Sequence, residues 1–381
     1  MTKTTTTAPD EIRATVRRLI ADAIAPAAAA VDAEGRFPDG AIEALAGAGL
    51  LGLAAPRDAG GMGEGMGTFA AVTEEIAAAC ASTAMVWVMH TTALCAIAAG
   101  RDERLPAIVA ARELCSIAAT EPGSRSFFWL PMSELRERAG RLEITATKRF
   151  VTAAGHARHF VCLSRRPGAA APVESTAYLV GAGDPGVRLD PRFDGLGLRG
   201  NESGRMDLEA HVVEPRDLLG PHGEGLTLVS GAVLPWFSVG TAAMAHGLCR
   251  AAVGATARHL RDTVLAHDGS RLRDLAPLRA RLAEMSVRTE AARALLGAAI
   301  AEIEAGSADA TLRVLEARHA AVNAACDVTD LAMKTCGGSA FVRPSPVERA
   351  FRDARAGWVM APTSDALADM IGRALTGLPI V

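Results

Sequence analysis

Apolar residues recur every three to four positions from Glu11 to about Glu113, the period of helices with one buried face. Ile12, Val16, Leu19, Ile20 and Ile24 share one such face. Asp39 is the expected cap of a helix over 41–50, which stops at a glycine-rich turn. Longer alanine-rich helices are predicted over 68–79 and 85–99. The rhythm changes at Cys115. Met206, Leu208, Ala210 and Val212 alternate with polar residues, as in a strand with one buried face. Residues 160–163 and 178–180 are short strand cores between Gly/Pro-rich turns. From Leu226 onward long helical stripes return. Leu278, Leu282, Met285, Leu295, Leu296, Ala299 and Ile303 form one, and Leu315, Val322, Cys326 and Met333 the next. Long antiparallel helices with short connections predict a bundle.

The expected order is therefore an N-terminal helical domain (1–114), a middle β-barrel or sandwich domain (115–220) and a C-terminal helical bundle (221–381), an α+β chain. No internal repeat or long low-complexity linker follows the first ten residues. Half of the 381 residues are hydrophobic and only 4% aromatic, so the cores must be packed from Ala, Leu, Val and Met. A net charge of −3 gives no electrostatic reason to bind nucleic acid. The first residues, Met1-Thr2-Lys3 and a threonine run, lack the basic-then-apolar order of a secretory signal. No uninterrupted apolar run reaches the ~20 residues that span a bilayer, so the expectation is a soluble, cytoplasmic protein without membrane insertion. Seven scattered cysteines without a CxxC pair point to buried thiols rather than to disulfides or a metal site, with Cys336 the one beside a glycine turn.

The chemistry-bearing segment lies near the end: Pro346-Val347-Glu348-Arg349-Ala350-Phe351-Arg352-Asp353-Ala354-Arg355, then Met360-Ala361-Pro362-Thr363-Ser364-Asp365, preceded by Gly337-Gly338. It closely resembles the C-terminal signature of the acyl-CoA dehydrogenase family. Further resemblances run in collinear order from about residue 35 to 370. They are Phe37-Pro38, the Ala48–Leu53 stretch with Gly60-Gly61-Met62-Gly63, Thr120-Glu121-Pro122-Gly123-Ser124-Arg125-Ser126, Lys148–Ala153, and Gly197-Leu198-Arg199-Gly200-Asn201 leading to Leu218-Leu219-Gly220. The resemblance implies that family's fold, with helical, β and four-helix-bundle domains.

It also implies FAD between the β domain and the bundle, in a homodimer or homotetramer whose second subunit completes the site. On this reading Thr152 places a hydroxyl near flavin N5 and Phe150 covers one ring face. Thr120, Ser126 and Thr363 address the flavin and its ribityl–phosphate side, while the backbone of Gly337 and Gly338 approaches the neighbouring subunit's cofactor. Several positions depart from the family pattern. Where the resemblance places a pyrophosphate-binding arginine, the chain has Leu265, with Asp268 nearby. Arg261, Arg271 and Arg273 are candidate compensations, as is Lys334, which replaces a glutamine. The stretch Val233-Leu234-Pro235-Trp236-Phe237-Ser238 has neither the carboxylate nor the arginine found there in relatives.

The largest departure is Ala361, at the position of the glutamate that removes the substrate's α-proton. A methyl group takes no proton, and a positioned base is worth about 10²–10⁴-fold in rate. Asp365 lies about one helical turn on, at an acidic position that is not the base in relatives, and helix stabilisation is its expected role. His90, His156 and His246 are acid–base candidates by region only. The substrate pocket is expected at Trp236, Phe237, Met360 and Ala361, with no metal.

Three functions remain open. The first is a flavin-dependent oxidoreductase acting on an acyl thioester or similar small substrate through a non-standard site, with an electron-transfer flavoprotein as partner. The second is a monooxygenase of the same fold using reduced flavin (FAD or FMN), a flavin reductase and O2, for which an apolar chamber suffices. The third is an inactive scaffold or subunit of a heteromeric dehydrogenase. The Gly-Leu-Arg and Pro-Val-Glu-Arg matches favour the first.

Overall fold

A computed structural model describes residues 8–380; the N-terminal threonine run lies outside them. Helix α1 (Ala8–Leu19) runs through a π-helical turn into α2 (Ala25–Glu34). The next helix, α3, is Asp39–Gly47, shorter than the pattern predicts. Gly49 adopts φ 74° and breaks the helix there, so Leu50 opens a separate 3-10 turn. Asp39 is the first residue of α3 rather than its cap, and its carboxylate stands 3.0 Å from His156 Nε2.

Helices α4 (Met66–Ala79) and α5 (Ala81–Ala99) follow, with α6 (Leu105–Ala111) after them. Every residue of α5 from Ala81 to Ile97 is buried, so it lacks a polar face. By length and mean hydropathy, α5 and the helical stretch Gly225–Asp262 are apolar enough to cross a membrane, although polar residues interrupt both. Their most apolar windows are 94% and 78% buried inside the protein, which is where core helices place that surface.

The middle region holds two sheets. Strand β1 (Cys115–Ala118) pairs in parallel with β4 (His159–Arg165), which pairs antiparallel with β5 (Ser175–Gly181). The other sheet is antiparallel in the order β2 (Arg136–Arg138), β3 (Arg141–Val151), β7 (Gly204–Val213), β6 (Val187–Asp190). The alternation predicted for β7 holds only in its first half. Met206 and Leu208 are buried, but Ala210 is exposed and His211 and Val213 take the inner face. The pairing slips between Ile144 and Ala146 of β3, and Ala210 adopts φ 46°. This extra residue flips the strand's faces, as a β-bulge does.

The C-terminal part is built on three long helices. A short α7 (Gly225–Leu228) and a π-turn (Val229–Val233) lead into α8 (Leu234–Asp262), followed by α9 (Ala276–Glu304) and α10 (Ala310–Cys336). The fourth side is covered by short helices, α12 (Pro346–Ala354) and α14 (Ser364–Leu375), with α11 (Gly338–Phe341) and α13 (Ala356–Val359) between. On α9 the core face is Met285, Thr289, Ala292, Leu296 and Ala299, at alternating spacings of four and three.

The signature at 346–355 turns out to tie these parts together. Arg352 donates to Asp32 Oδ2 of α2 (2.5 Å), to Glu348 and to the Leu196 carbonyl (3.1 Å). Asp353 accepts from the Leu198 N–H at 2.7 Å. Arg199 donates to the Asp32 carbonyl at 2.9 Å. The Gly197 backbone packs so closely on α12 that a Cβ there would lie 2.5 Å from the Arg352 oxygen. One buried knot thus joins α2, the loop before β7 and α12.

Candidate functional site

Two hydroxyls predicted to address a cofactor meet directly. Ser126, in the loop after β1, and Thr363, at the start of α14, are 237 positions apart, and their oxygens stand at 2.9 Å. Thr363 is also the N-cap of α14, its Oγ1 accepting from the Ala366 N–H. Asp365 is exposed in the first turn of that helix, where a carboxylate favours the positive dipole end.

The loop carrying Ser126 is anchored from below by a pair that sequence reasoning passed over. Buried Lys148 of β3 pairs with buried Glu121 and donates to the Leu163 carbonyl at 2.6 Å. Glu121 also accepts from the backbone N–H groups of Met132 and Ser133. Burial alone would raise its pKa, but Lys148 and the Ser133 hydrogen bonds outweigh it and hold the carboxyl below its usual range. Thr120 lies at the head of this loop, its carbonyl accepting from the Arg149 N–H at 2.9 Å.

At the end of β3 the chain changes pitch. Arg149 pairs with Arg205 but Val151 with Gly204, so Phe150 is an extra residue, with φ 56°. A bulky side chain pays a steric penalty in that left-handed region, and such bulges cluster beside active sites. The result is that the Phe150 ring projects, 65% exposed. Thr152, two residues on, is buried; its hydroxyl is 3.1 Å from Ser203 Oγ and its carbonyl accepts from Ser116 Oγ.

The expected pocket residues come from α8 and the turn before α14. Trp236 packs its ring 5.3 Å from that of Phe69, and Phe237 lies under the guanidinium of Arg318, 4.8 Å from ring centroid to Cζ. Met360 and Ala361 are half-buried in the turn, with Met360 O accepting from Arg318 Nη2 at 3.1 Å. Arg318 was not anticipated, though a signal existed. It occupies a core position of α10, three residues after Leu315 and four before Val322. It is fully buried, Nε and Nη1 have no hydrogen-bond partner, and burial lowers its pKa to about 9.

The double glycine stands apart. Gly337 takes φ 56°, ψ −137°, and a Cβ at either glycine would meet nothing within 4 Å. Gly337 lies nineteen positions beyond Arg318, about 28 Å at the α-helical rise. Three of the candidate compensating charges, Lys334, Arg271 and Arg273, have neighbours of their own. Lys334 pairs with Asp330 one turn back, and Arg271 donates to the Arg261 carbonyl. Arg273 lies 4.0 Å from Asp274, and Asp268 is tied to Ser270 in its own loop.

The histidines have structural partners. His90 Nε2 is 2.8 Å from the Leu51 carbonyl and Nδ1 accepts from the Cys115 N–H, joining α5 to β1; burial lowers its pKa to about 4. His156 stacks on Phe37, and His246 Nδ1 stands 2.8 Å from Glu74. All seven cysteines are free and buried, and burial pushes the Cys336 thiol up, away from reactivity.

Three family models cover the chain in order. They are the acyl-CoA dehydrogenase N-terminal domain over residues 6–105, the middle domain over 116–211 and the C-terminal domain over 223–376. The chain belongs to the acyl-CoA dehydrogenase family. It is similar to cyclohex-1-ene-1-carbonyl-CoA dehydrogenase of Geobacter metallireducens, 28% identical over 94% of this chain and 96% of that one. Among solved structures, butyryl-CoA dehydrogenase from Megasphaera elsdenii superposes with a TM-score of 0.91 at 22% identity, covering 99% of this chain and 100% of that one. A complex of TdsC from Paenibacillus sp. A11-2 with FMN and indole has the same fold, with a TM-score of 0.86 at 20% identity over 97% and 98% of the two chains. This family member is an acyl-CoA dehydrogenase-like flavoenzyme.

Proposed function

We propose that this flavoenzyme binds FAD and oxidises an acyl thioester, through a site that lacks the usual base. The observation that carries the reading is the Ser126–Thr363 hydroxyl pair, which brings the loop after β1 against the turn containing Ala361. The residues present suit a flavin. Phe150 offers an uncovered ring, Thr152 a buried hydroxyl one bulge away, and the Gly337–Gly338 backbone is open to close approach. FAD, when bound, supplies a hydride acceptor for the substrate's β-carbon. Around it, Thr120, Ser126, Phe150, Thr152 and Thr363 hold the ring system from one subunit. Gly337 and Gly338, set far along α10, serve the cofactor of a partner subunit in a homodimer or homotetramer. An electron-transfer flavoprotein is the fitting electron acceptor.

On the substrate side this chain's own residues orient and exclude water. Trp236, Phe237, Met360 and Ala361 form an apolar wall. With an alanine at 361, α-proton removal falls to another group, and no carboxylate is paired with Arg318 among the described residues. The same apolar wall favours a second reading, an oxygen-using monooxygenase with a separate flavin reductase, in which no base is needed.

Anaerobic titration of the purified, FAD-loaded protein with butyryl-CoA separates these. Bleaching of the flavin band without a reductase is expected. A band that bleaches only with an external reductase, followed by O2-dependent product formation, supports the monooxygenase instead. A protein that takes up no flavin refutes both.

A further inference from the structure

Arg318 is the most unusual charge in the molecule. A guanidinium stays protonated in almost any setting and is costly to bury without a counter-charge. The other buried arginine among the described residues, Arg352, is gripped by Asp32 and Glu348. Arg318 is 0% exposed, yet the polar and ring contacts of its guanidinium are the Met360 carbonyl and the face of Phe237. Both contacts belong to the expected substrate wall. Nε and Nη1 are left without partners. Nη2 carries two hydrogens and gives one to Met360, so the second, together with a neighbouring nitrogen, still forms a planar two-pronged donor. A carboxylate matches that fork.

Resting on the acyl-thioester reading above, we infer that Arg318 binds a carboxylate carried on the substrate's acyl group, so that the preferred substrates are short monothioesters of dicarboxylic acids. The position limits the chain length. Arg318 touches the residue immediately before Ala361, so its anion lies close to the reacting end of the acyl group and not at the end of a long tail. Phe237 lies against the guanidinium, and the edge that carries Nε and Nη1 is the part left without a partner. The contact also fixes the acyl group's orientation, a role otherwise unfilled in a wall of Trp236, Phe237, Met360 and Ala361. Arg318 is here a substrate-binding group, and no proton transfer is assigned to it.

The test compares succinyl-CoA with butyryl-CoA, which have the same number of acyl carbons and differ by the terminal carboxylate. Binding to the FAD-loaded protein is measured by calorimetry without oxygen. The wild type is expected to bind succinyl-CoA about 10- to 100-fold more tightly, the usual worth of a charged hydrogen-bonded contact. Arg318→Met is expected to remove that preference while butyryl-CoA still binds. Equal binding of the two thioesters by the wild type overturns the inference, as does a preference that survives the substitution. Equal weakening of both by Arg318→Met also overturns it, leaving the arginine as a clamp on Met360.

If Arg318→Met does not fold, Arg318→Lys decides: a point charge without the fork should keep only part of the preference, and an unchanged preference overturns the proposal. If neither thioester binds, the acyl-thioester reading has failed by itself. Thermal stabilisation by free butyrate against butyramide then tests the anion site alone. A shift with butyrate only, lost in the Arg318 variant, supports it, and no such shift overturns it.

Discussion

Asp353 offers a direct measurement of the knot that carries the family signature. Its side chain is 3% exposed and accepts from the Leu198 N–H at 2.7 Å. Burial pushes its carboxyl up from 3.8 to about 6; Asp32 adds to the rise, while the Leu198 hydrogen bond, Arg349 and Arg352 oppose it. Between those two values the folded protein holds a proton that the unfolded chain has released. The contribution of Asp353 to the unfolding free energy therefore decreases as pH rises from about 4 to 6 and is flat above. A shift of about 2 units corresponds to roughly 3 kcal/mol at 1.36 kcal/mol per unit. Asp353→Asn keeps the acceptor for Leu198, removes the titration, and leaves an amide NH2 whose burial costs about 1–3 kcal/mol if unpaired. That cost does not vary with pH.

The prediction is thus about slope. Urea unfolding of wild type and variant at matched pH, from 4 to 8, should show the variant gaining about 2–3 kcal/mol relative to wild type as pH rises through 6. His90 titrates in an overlapping range but is present in both proteins and cancels in the difference. Parallel stability profiles would refute the argument, because they would mean that the Asp353 carboxyl is no harder to ionise in the folded protein than in the unfolded chain.

Two other changes test neighbouring claims. His90 is held neutral, with its pKa lowered to about 4 by burial, so its contribution is present above 6.5 and lost as pH falls toward 4. That loss is about 3 kcal/mol, and His90→Gln should flatten the acid limb of urea-midpoint curves; an unchanged limb rejects the buried neutral histidine. Gly197→Ala and Gly338→Ala should differ sharply, since a Cβ at Gly197 would meet the Arg352 backbone at 2.5 Å and one at Gly338 meets nothing within 4 Å. Thermal unfolding should show a loss of about 1–3 kcal/mol or more for the first and near-neutrality for the second. If Gly338→Ala keeps stability but also retains all its flavin and its oligomeric state, the role proposed for that turn is wrong.

Much of this architecture was legible because it is written in periodicity. The long helices α4, α9 and α10 follow the helical periodicity of the sequence closely, whereas α5 is buried all round. What the pattern missed are places where one residue changes the phase. Ala210 flips the faces of β7, Phe150 is extruded from β3, and Gly49 cuts α3 short. A bulge with positive φ at Ala or Phe has no residue-type signal, unlike one at Gly. The site was partly legible: Ser126 and Thr363 were each marked by a motif, and the fold brings their hydroxyls together. Arg318 was visible only as a charge in a core stripe, and its meaning depends on which loop packs over it.

The buried knot also explains how a strong family resemblance can coexist with an alanine at 361. Glu348, Arg352 and Asp353, with Gly197 and Arg199, are engaged in joining α2, α12 and the loop before β7. Each is constrained by backbone proximity or by the cost of leaving a buried charge unpaired. Ala361 is under no such constraint. It lies beyond α13 in a half-buried turn whose course is set by Met360 O on Arg318 and by the Thr363 cap. Both of those fixings act through groups other than the side chain at 361. The turn's path can therefore persist whatever that side chain is, and the chemistry at this point can change without disturbing the fold that surrounds it.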